Sequence, residues 1–600
     1  MAEGHEAPGA SHPPNPVTRA AGSRGMGFPV AVAGLLLLAL LLGARGLDSP
    51  GLYYDEAVQA RPALEFASGR IRASELPGSQ SIWLGNRRFP LMTQPYMGAL
   101  KSQALIPGFW LVGSQVEVLR LTTLMWALIG LAFVAAFSRR VFGGATALSA
   151  TALLCCDPSF LLLARHDWGS FSLSFLLRGV VLWCGWSWWQ SRRSGWLWTA
   201  AFAAGLAFYN KVDIAIFASA VGLALLAVAG KRLRAAWREE PRAGRTLAVA
   251  AGAFLLGLAP MIPAIGAVFA ARNAFAQPNE LAEKLQTLLA MADGSYFYRL
   301  MSTGGVFGAD ALGEVANAPG SVFPFALALA VAWLVFRVAA GPAGGRDSRA
   351  LFLLLASGLS ILAVIALPGA VRIHHAMNTY PLLHLLLAYA LVDAVRAATS
   401  AKVPTGTLES PTRVGLGGAP RSPRARVAAL TMTAIGLFVL STHYLTYERT
   451  HSELQRNGGK GRWSRAIHAF AAELDAEFEG SVLSLDWGFH EPLAFLAQGG
   501  ALGEAHWQIP RSIRQRGEWR FRGESGDRYI LHLPPYDRAG FGRPFLDAVE
   551  RLNSELVVVQ RHLDGDGDIA FVTVRVNAPH ELSFEAGLTG RGEFRIGLFP

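Results

Sequence analysis

Apolar runs, most of them near twenty residues, recur from position 28 to 447 between polar links, and all but the short third and fifth are long enough for a helix to cross a bilayer. They fall near 28–46, 118–137, 142–156, 169–190, 196–209, 212–230, 247–270, 321–340, 350–369, 379–395 and 426–447. The pattern predicts a polytopic α-helical membrane domain, 28–447, of about eleven transmembrane helices. Residues 1–27, rich in Pro, Gly and Ala, read as a disordered cytoplasmic tail. The first run is expected to remain as a helix, although Ala44-Arg45-Gly46 loosely imitates a signal-peptide cleavage site. Beyond 447 the pattern changes. Strands are expected at 481–487, 529–533, 555–560 and 570–576, and helices at 462–477 and 542–553. Residues 448–600 therefore read as a soluble α/β domain with its own core.

Every second link is basic: Arg139 and Arg140, Arg192 and Arg193, a run from Lys231 to Arg245, Arg346 and Arg349, then six cations from Arg396 to Arg426. Lys and Arg mark cytoplasmic links. The other links, 47–117, 157–168, 210–211, 271–320 and 370–378, then face outward, as does the C-terminal domain. A stretch at 281–291 is amphipathic and is expected to lie along the membrane surface. The Trp-rich segment 183–189 reads as an interfacial anchor.

Composition sharpens this picture. Of 600 residues 52% are hydrophobic and only 16% charged, which argues against one large soluble domain. The net charge of +11 is accounted for by the cytoplasmic links, so membrane lipids and not nucleic acid are the expected surroundings. All three cysteines, Cys155, Cys156 and Cys184, sit in apolar runs, and no disulfide framework is implied.

Polar residues gather on the outer links. Tyr53-Tyr54-Asp55-Glu56 follows the first helix; Asp157-Pro158-Ser159-Phe160 and Arg165-His166-Asp167-Trp168-Gly169 follow the third. Tyr209-Asn210-Lys211-Val212-Asp213 forms a tight turn, and Arg372-Ile373-His374-His375 precedes the tenth helix. Arg165, Lys211 and Arg372 run against the expected scarcity of cations in outer links, and a local anionic ligand would explain them. A carboxylate can take a proton from a hydroxyl, and Lys or Arg can hold a phosphate. Acids beside phosphate-binding cations at a membrane surface suggest transfer from a lipid phosphate. Arg178, deep in the fourth helix, is expected to face a cavity or a partner. Asp564-Gly565-Asp566-Gly567-Asp568 imitates a calcium loop, but Ile569 and Arg575 stand where a glycine and an acid are needed, so it reads as a hairpin turn. The adjacent His374 and His375 are a weak metal signal, which leaves a divalent metal open and unassigned.

The order Asp55-Glu56, Gln94-Pro95-Tyr96-Met97-Gly98-Ala99-Leu100-Lys101, Asp157-Pro158-Ser159-Phe160, His166-Asp167-Trp168-Gly169 and Asn210-Lys211 resembles the GT-C superfamily of membrane glycosyltransferases. Within it, residues 28–395 are similar to the bacterial relatives of protein O-mannosyltransferases and lipid A aminoarabinose transferases. The resemblance implies a polyprenyl-phosphate sugar donor, an extracytoplasmic active site in a bacterial inner (plasma) membrane, and an inverting reaction. It implies Asp55 as the catalytic acid position, with Asp167 as the second and Glu56 beside the first. Lys211 and Arg372, with Lys101 after them, are the expected phosphate cations; Tyr54, Asp157, His166 and His374 complete the expected site. Many relatives carry a His-Pro-Pro-Leu-like segment where this chain has Thr93-Gln94-Pro95-Tyr96, which leaves the acceptor and any metal open. A transporter or flippase for lipid-linked sugars, or a non-catalytic binding protein, is the alternative; broken helices and paired repeats would favour the transporter.

Overall fold

The structure, a computed structural model, describes residues 27–585 except 74, 240–241, 267–278, 304–316, 341–346, 400–422, 478–479, 498–500, 504–507, 510–517, 538 and 553–556. The expected tail before residue 27, much of the second outer loop, Arg346, Lys402, Arg413 and Arg421 lie outside the described residues, as does residue 600.

The first apolar run forms α1 (Gly27–Gly43). The long link that follows, expected as an outer loop, is folded. It folds into α2 (Tyr54–Ser68), a small sheet of β1 (Gln80–Leu84), β2 (Arg87–Gln94) and β3 (Met97–Gly98), and α3 (Leu100–Leu111). A tight turn at Gly85, where φ is 64°, pairs Leu84 with Arg87 and closes the β1–β2 hairpin.

The membrane helices continue as α4 (Val116–Val141), α5 (Gly144–Cys156), α6 (Pro158–His166), α7 (Phe171–Ser191), α8 (Ser194–Asn210), α9 (Ile214–Arg238) and α10 (Ala243–Leu258). Then come α11 (Leu281–Ala292), α12 (Phe323–Ala340), α13 (Ser348–Ala366), α14 (Leu382–Thr399) and α15 (Pro423–Asn457). Among the described residues eight helices are long and apolar enough to cross a membrane. The first and fifth expected spans are helices of 17 residues.

The third expected span needs correcting. The link expected at 157–168 is mostly helix: α5 and α6 meet at 64°, with Asp157 capping α6 through Phe160 N (2.8 Å) and Pro158 in the first turn. An Asp cap followed by Pro starts a new helix direction, which is why the chain turns there. The amphipathic stretch is α11; Leu281, Leu285 and Leu289, four apart, are exposed while Glu283, Lys284 and Thr287 are buried. Arg178 on α7 does meet a partner: its guanidinium donates to Met377 O (3.0 Å) and to Asn378 Oδ1 at the break before α14.

Helix α15 runs through the expected domain boundary at 447/448 and delivers the chain to the C-terminal domain. There α16 (Ala466–Glu477), α17 (His490–Leu496) and α18 (Gly542–Val549) pack on a five-stranded mixed sheet. Its members are β4 (Ser481–Ser484), β5 (Ala501–Leu502), β7 (Arg528–Leu531), β8 (Val557–Leu563) and β9 (Ile569–Val576), in the order β5-β4-β7-β9-β8. A separate ribbon pairs β6 (Glu518–Gly523) with β10 (His580–Glu585). Alternation along β7 splits the core: Tyr529 and Leu531 meet Phe545 and Val574, while Ile530 meets Phe470 and Phe571 on the other face. The Asp564–Asp568 segment is the β8–β9 turn, closed by Asp564 N to Asp568 O at 2.9 Å.

Candidate active site

Asp55 stands in the first turn of α2, and the neighbours of that turn are well fixed. Glu56 next to it is fully buried, and Arg120 of α4 grips it twice: Nε to Oε2 at 2.7 Å and an Nη to Oε1 at 2.9 Å. The same guanidinium donates to the carbonyls of Leu47 (2.8 Å), Pro50 (2.8 Å) and Gly51 (3.2 Å). Burial pushes the Glu56 carboxyl up, but Arg120 and His166 outweigh it and hold it at about 2. Tyr54 is 3% exposed, and its hydroxyl has no hydrogen-bond partner among the described residues.

The link after α6 turns through three left-handed residues, Asp167, Gly169 and Ser170, with φ of 50°, 62° and 56°. Asp167 Oδ1 accepts Ser172 N (2.5 Å), and Oδ2 lies 3.0 Å from Lys101 Nζ, with both side chains wholly buried. Lys101 and Asp167, expected as a phosphate cation and a second acid, thus meet each other. Asp157 and His166 are buried as well. Asp157 Oδ2 accepts from Tyr380 (2.8 Å) and His384 (2.9 Å), and His166 Nε2 accepts from Arg165 (3.2 Å). Arg165 itself binds the carbonyls of Arg45 (2.8 Å) and Ser49 (2.7 Å), which accounts for an outer-link cation without an anionic ligand.

The turn between α8 and α9 brings a second charged group to the same region. Lys211 Nζ is 3.1 Å from Asp213 Oδ2, which also lies 3.4 Å from His375 Nδ1 and accepts from Asn378 (3.4 Å). Burial raises the Asp213 carboxyl, but Lys211 and His375 win and leave it below the usual carboxylate range. Gly169 packs closely against this pair. A Cβ on it would come within 2.7 Å of Lys211 Nζ and 3.0 Å of the His374 ring.

Tyr96 ties this turn to the segment between α2 and α3. Its carbonyl accepts Val212 N (3.3 Å), between Lys211 and Asp213. Burial drives its phenol well above the usual value, and the charges of Asp55 and Asp213 both add to the rise. Two residues on, Gly98 lies so close to α8 that a Cβ would sit 2.2 Å from the Tyr209 carbonyl oxygen. Arg372 caps the short helix Ile373–Ala376 and lies 3.3 Å from Glu283 of α11. Its field reaches Tyr296: burial pushes that phenol up to about 12, Arg372 opposes the rise and Asp55 adds to it. Asp55 thus acts on both phenols, joined by Asp213 at Tyr96 and by Arg372 at Tyr296.

Sequence reasoning missed Asp213 as a site member, although it was quoted with Lys211; an acid two residues beyond an outer-link lysine was the available signal. It also missed Arg120, hidden inside an apolar run, and the aromatic wall of Trp168, Trp463 and Trp487 around Tyr53, at 5.0, 5.6 and 5.4 Å. Trp463 and Trp487 are some 410 and 434 positions away from Tyr53, which leaves no local pattern to read. Among the described residues no group of three or more His, Cys, Asp and Glu is arranged to hold a metal.

Comparison with known proteins adds three findings. The family model for dolichyl-phosphate-mannose-protein mannosyltransferases matches residues 103–262. The crystal structure of ArnT from Cupriavidus metallidurans bound to undecaprenyl phosphate superposes with a TM-score of 0.52 and 13% identity, over 94% of this chain and 100% of that one. The same enzyme in the apo state gives 0.51 and 14%, over 92% and 98%. No curated protein matches significantly in sequence. The chain therefore has the GT-C fold, C-terminal sheet region included.

Proposed function

We propose that this chain of GT-C fold is a membrane glycosyltransferase. It moves a sugar from a polyprenyl-phosphate donor to an extracytoplasmic hydroxyl of a lipid, glycan or protein, in a bacterial inner membrane. The observation that supports the reading is the bond from Val212 N to Tyr96 O, which joins the first segment to the Lys211–Asp213 turn, with the charge of Asp55 acting on Tyr96 and on Tyr296, and that of Arg372 on Tyr296. In this reading a carboxylate and two cations share one site on the extracytoplasmic side of the helices. The undecaprenyl phosphate in the ArnT structure supports a lipid phosphate as the donor's carrier.

In this reading Asp55 takes the proton of the acceptor hydroxyl as its oxygen attacks the anomeric carbon, and the sugar–phosphate bond breaks on the opposite face. The configuration inverts. The polyprenyl phosphate leaves with the bonding pair, and Lys211 and Arg372 stabilise its growing charge. A positioned base contributes ~10²–10⁴-fold. Lys101 and Asp167 neutralise each other in full burial, and Glu56 is taken up by Arg120, so these three are assigned to holding the site together. His374, beside Lys211, is placed at its edge.

The test is release of polyprenyl phosphate from short-chain polyprenyl-phosphate sugars, with cell-envelope membranes supplying the acceptor. Wild type should release it and Asp55→Asn should not. Equal release by the two would remove Asp55 from the reaction.

A further inference from the structure

The segment that leads into Asp55 is held from two sides, and one of them is the C-terminal domain. Gly51 N donates to Trp463 O (2.8 Å) and Leu52 N to His468 Nε2 (3.0 Å). A Cβ on Gly51 would lie 2.2 Å from the Ser464 carbonyl oxygen, so the two backbones touch and no larger residue fits between them. The next two side chains are held by rings. Tyr53 lies between Trp463 and Trp487, and the Tyr54 ring is 4.7 Å from that of Trp487.

Trp487 is itself braced. Its backbone N donates to Asp486 Oδ1 (2.7 Å), which also accepts Ala539 N (2.8 Å), and Asp486 Oδ2 takes His532 Nδ1 (2.6 Å). The Arg462 guanidinium lies 5.7 Å from the Trp487 ring while its Nε donates to Tyr536 O (3.0 Å). The ring is thus fixed by the sheet of one domain and pressed on the tyrosines of the other.

We propose that Trp487 is a positioning residue for the transfer. By holding Tyr53 and Tyr54 it fixes the first turn of α2 and so the direction of Asp55. The C-terminal domain is then a working part of the active site. A base displaced by ~1 Å can lose ~10²-fold in rate, so a contact that never touches substrate can still control turnover. The inference rests on Asp55 as the base.

The experiment compares full-length wild type, Trp487→Phe, Trp487→Leu and Asp55→Asn in two measurements. Hydrogen exchange of the 47–58 peptide reads the clamp without any substrate, and polyprenyl-phosphate release from a short-chain polyprenyl-phosphate sugar reads kcat and donor KM. Exchange in 47–58 should rise from Phe to Leu while peptides of α4 and α7 stay protected. kcat should fall in the same order, at least ~10-fold for Leu, with donor KM within about twofold. Unchanged exchange in both variants overturns the proposal, and so does raised exchange with wild-type kcat. If the Leu variant does not fold, the Phe variant decides, wild-type exchange and kcat again overturning it. Wild-type turnover by Asp55→Asn would instead bring down the assignment of the base, and the two failures remain distinguishable.

Discussion

Arg120 and Glu56 form a two-pronged ion pair that is closed to solvent on both sides, and the same arginine also binds three carbonyls of the segment before α2. One side chain on a membrane helix therefore sets the path of the chain into Asp55. Breaking a buried pair from one side leaves an uncompensated charge and costs about 3–5 kcal/mol. Arg120→Ala is expected to lower the detergent melting temperature and to abolish transfer. Arg120→Lys should recover part of the stability and little of the activity, because a point charge cannot serve a carboxylate and three carbonyls at once. A thermal melt in detergent beside the release assay checks both.

Asp55→Asn differs from that case in what it should spare. Asp55 is only partly buried, whereas Glu56 beside it is closed off. Asparagine keeps the shape and loses the basicity, so turnover should drop by at least ~10² while the melting temperature holds. A turnover within tenfold of wild type would be too small an effect for a general base.

The C-terminal domain should not be removable without damage. Its own strands and core suggested independence, but the interface contradicts a loose attachment. Arg61 of α2 pairs with Glu491 of α17 as well as with Glu65 (2.8 Å), all three nearly closed to solvent, and Phe495 packs on Phe109 of α3 at 5.9 Å. A chain ending at residue 457 would expose Tyr53 and Phe109 and leave Arg61 with one carboxylate. The expected result is aggregation or degradation of the truncated protein in membranes. A monodisperse truncated protein with the wild-type protease-digestion pattern of residues 47–117 would refute it.

Much of this architecture could be read from the chain because a bilayer demands long apolar helices and tolerates few alternatives. The α5–α6 bend was written in Asp157-Pro158, a cap and a helix-starting proline, but was taken for a link because the apolar run stops there. The small sheet after α2 went unseen, since a hairpin inside a polar link carries only a weak alternation around Gly85. In the site, Asp55 and Lys211 stood out by their positions next to helix ends. Pairing was not legible: Lys101 meets Asp167 at 3.0 Å and Lys211 meets Asp213 at 3.1 Å, and a charge reads the same in sequence whether it faces a ligand or another buried charge.

Asp537 in the C-terminal domain gives a pH test. Burial and the neighbouring charge of Asp486 raise its carboxyl to about 6, although Gly540 N and Gly542 N donate to it. The folded state then holds a proton that the unfolded chain releases near its ordinary value of about 4. Stability from this group is full below that value and falls as pH rises toward 6, by at most about 3 kcal/mol. Asp537→Asn should flatten the melting-temperature decline between pH 4 and 6 and stabilise the protein at pH 7. An unchanged slope in the variant would assign the decline to other groups.

The cations at the donor phosphate call for a more careful substitution than alanine alone. Lys211 is nearly buried and faces Asp213 at 3.1 Å, so Lys211→Ala removes a phosphate ligand and also strands a buried acid beside His375. The two effects separate in the double variant Lys211→Ala/Asp213→Asn, which loses the cation without leaving the anion uncompensated. If Lys211 serves the phosphate, the double variant regains stability over the single one but still binds polyprenyl phosphate weakly. Arg372 is more open, but its partner Glu283 is buried, so Arg372→Ala should lower affinity and cost some stability, and Arg372→Ala/Glu283→Gln should regain the stability alone; Arg372→Lys should restore only part of the affinity, since the planar fork matches two phosphate oxygens. Charge-assisted bonds to a phosphate contribute about 1.5–3 kcal/mol each, which predicts roughly a 10- to 100-fold loss of affinity per cation. Titration of a short-chain polyprenyl phosphate, read by intrinsic tryptophan fluorescence, measures it. Wild-type affinity in both Lys211→Ala/Asp213→Asn and Arg372→Ala would place the phosphate elsewhere on the outer face.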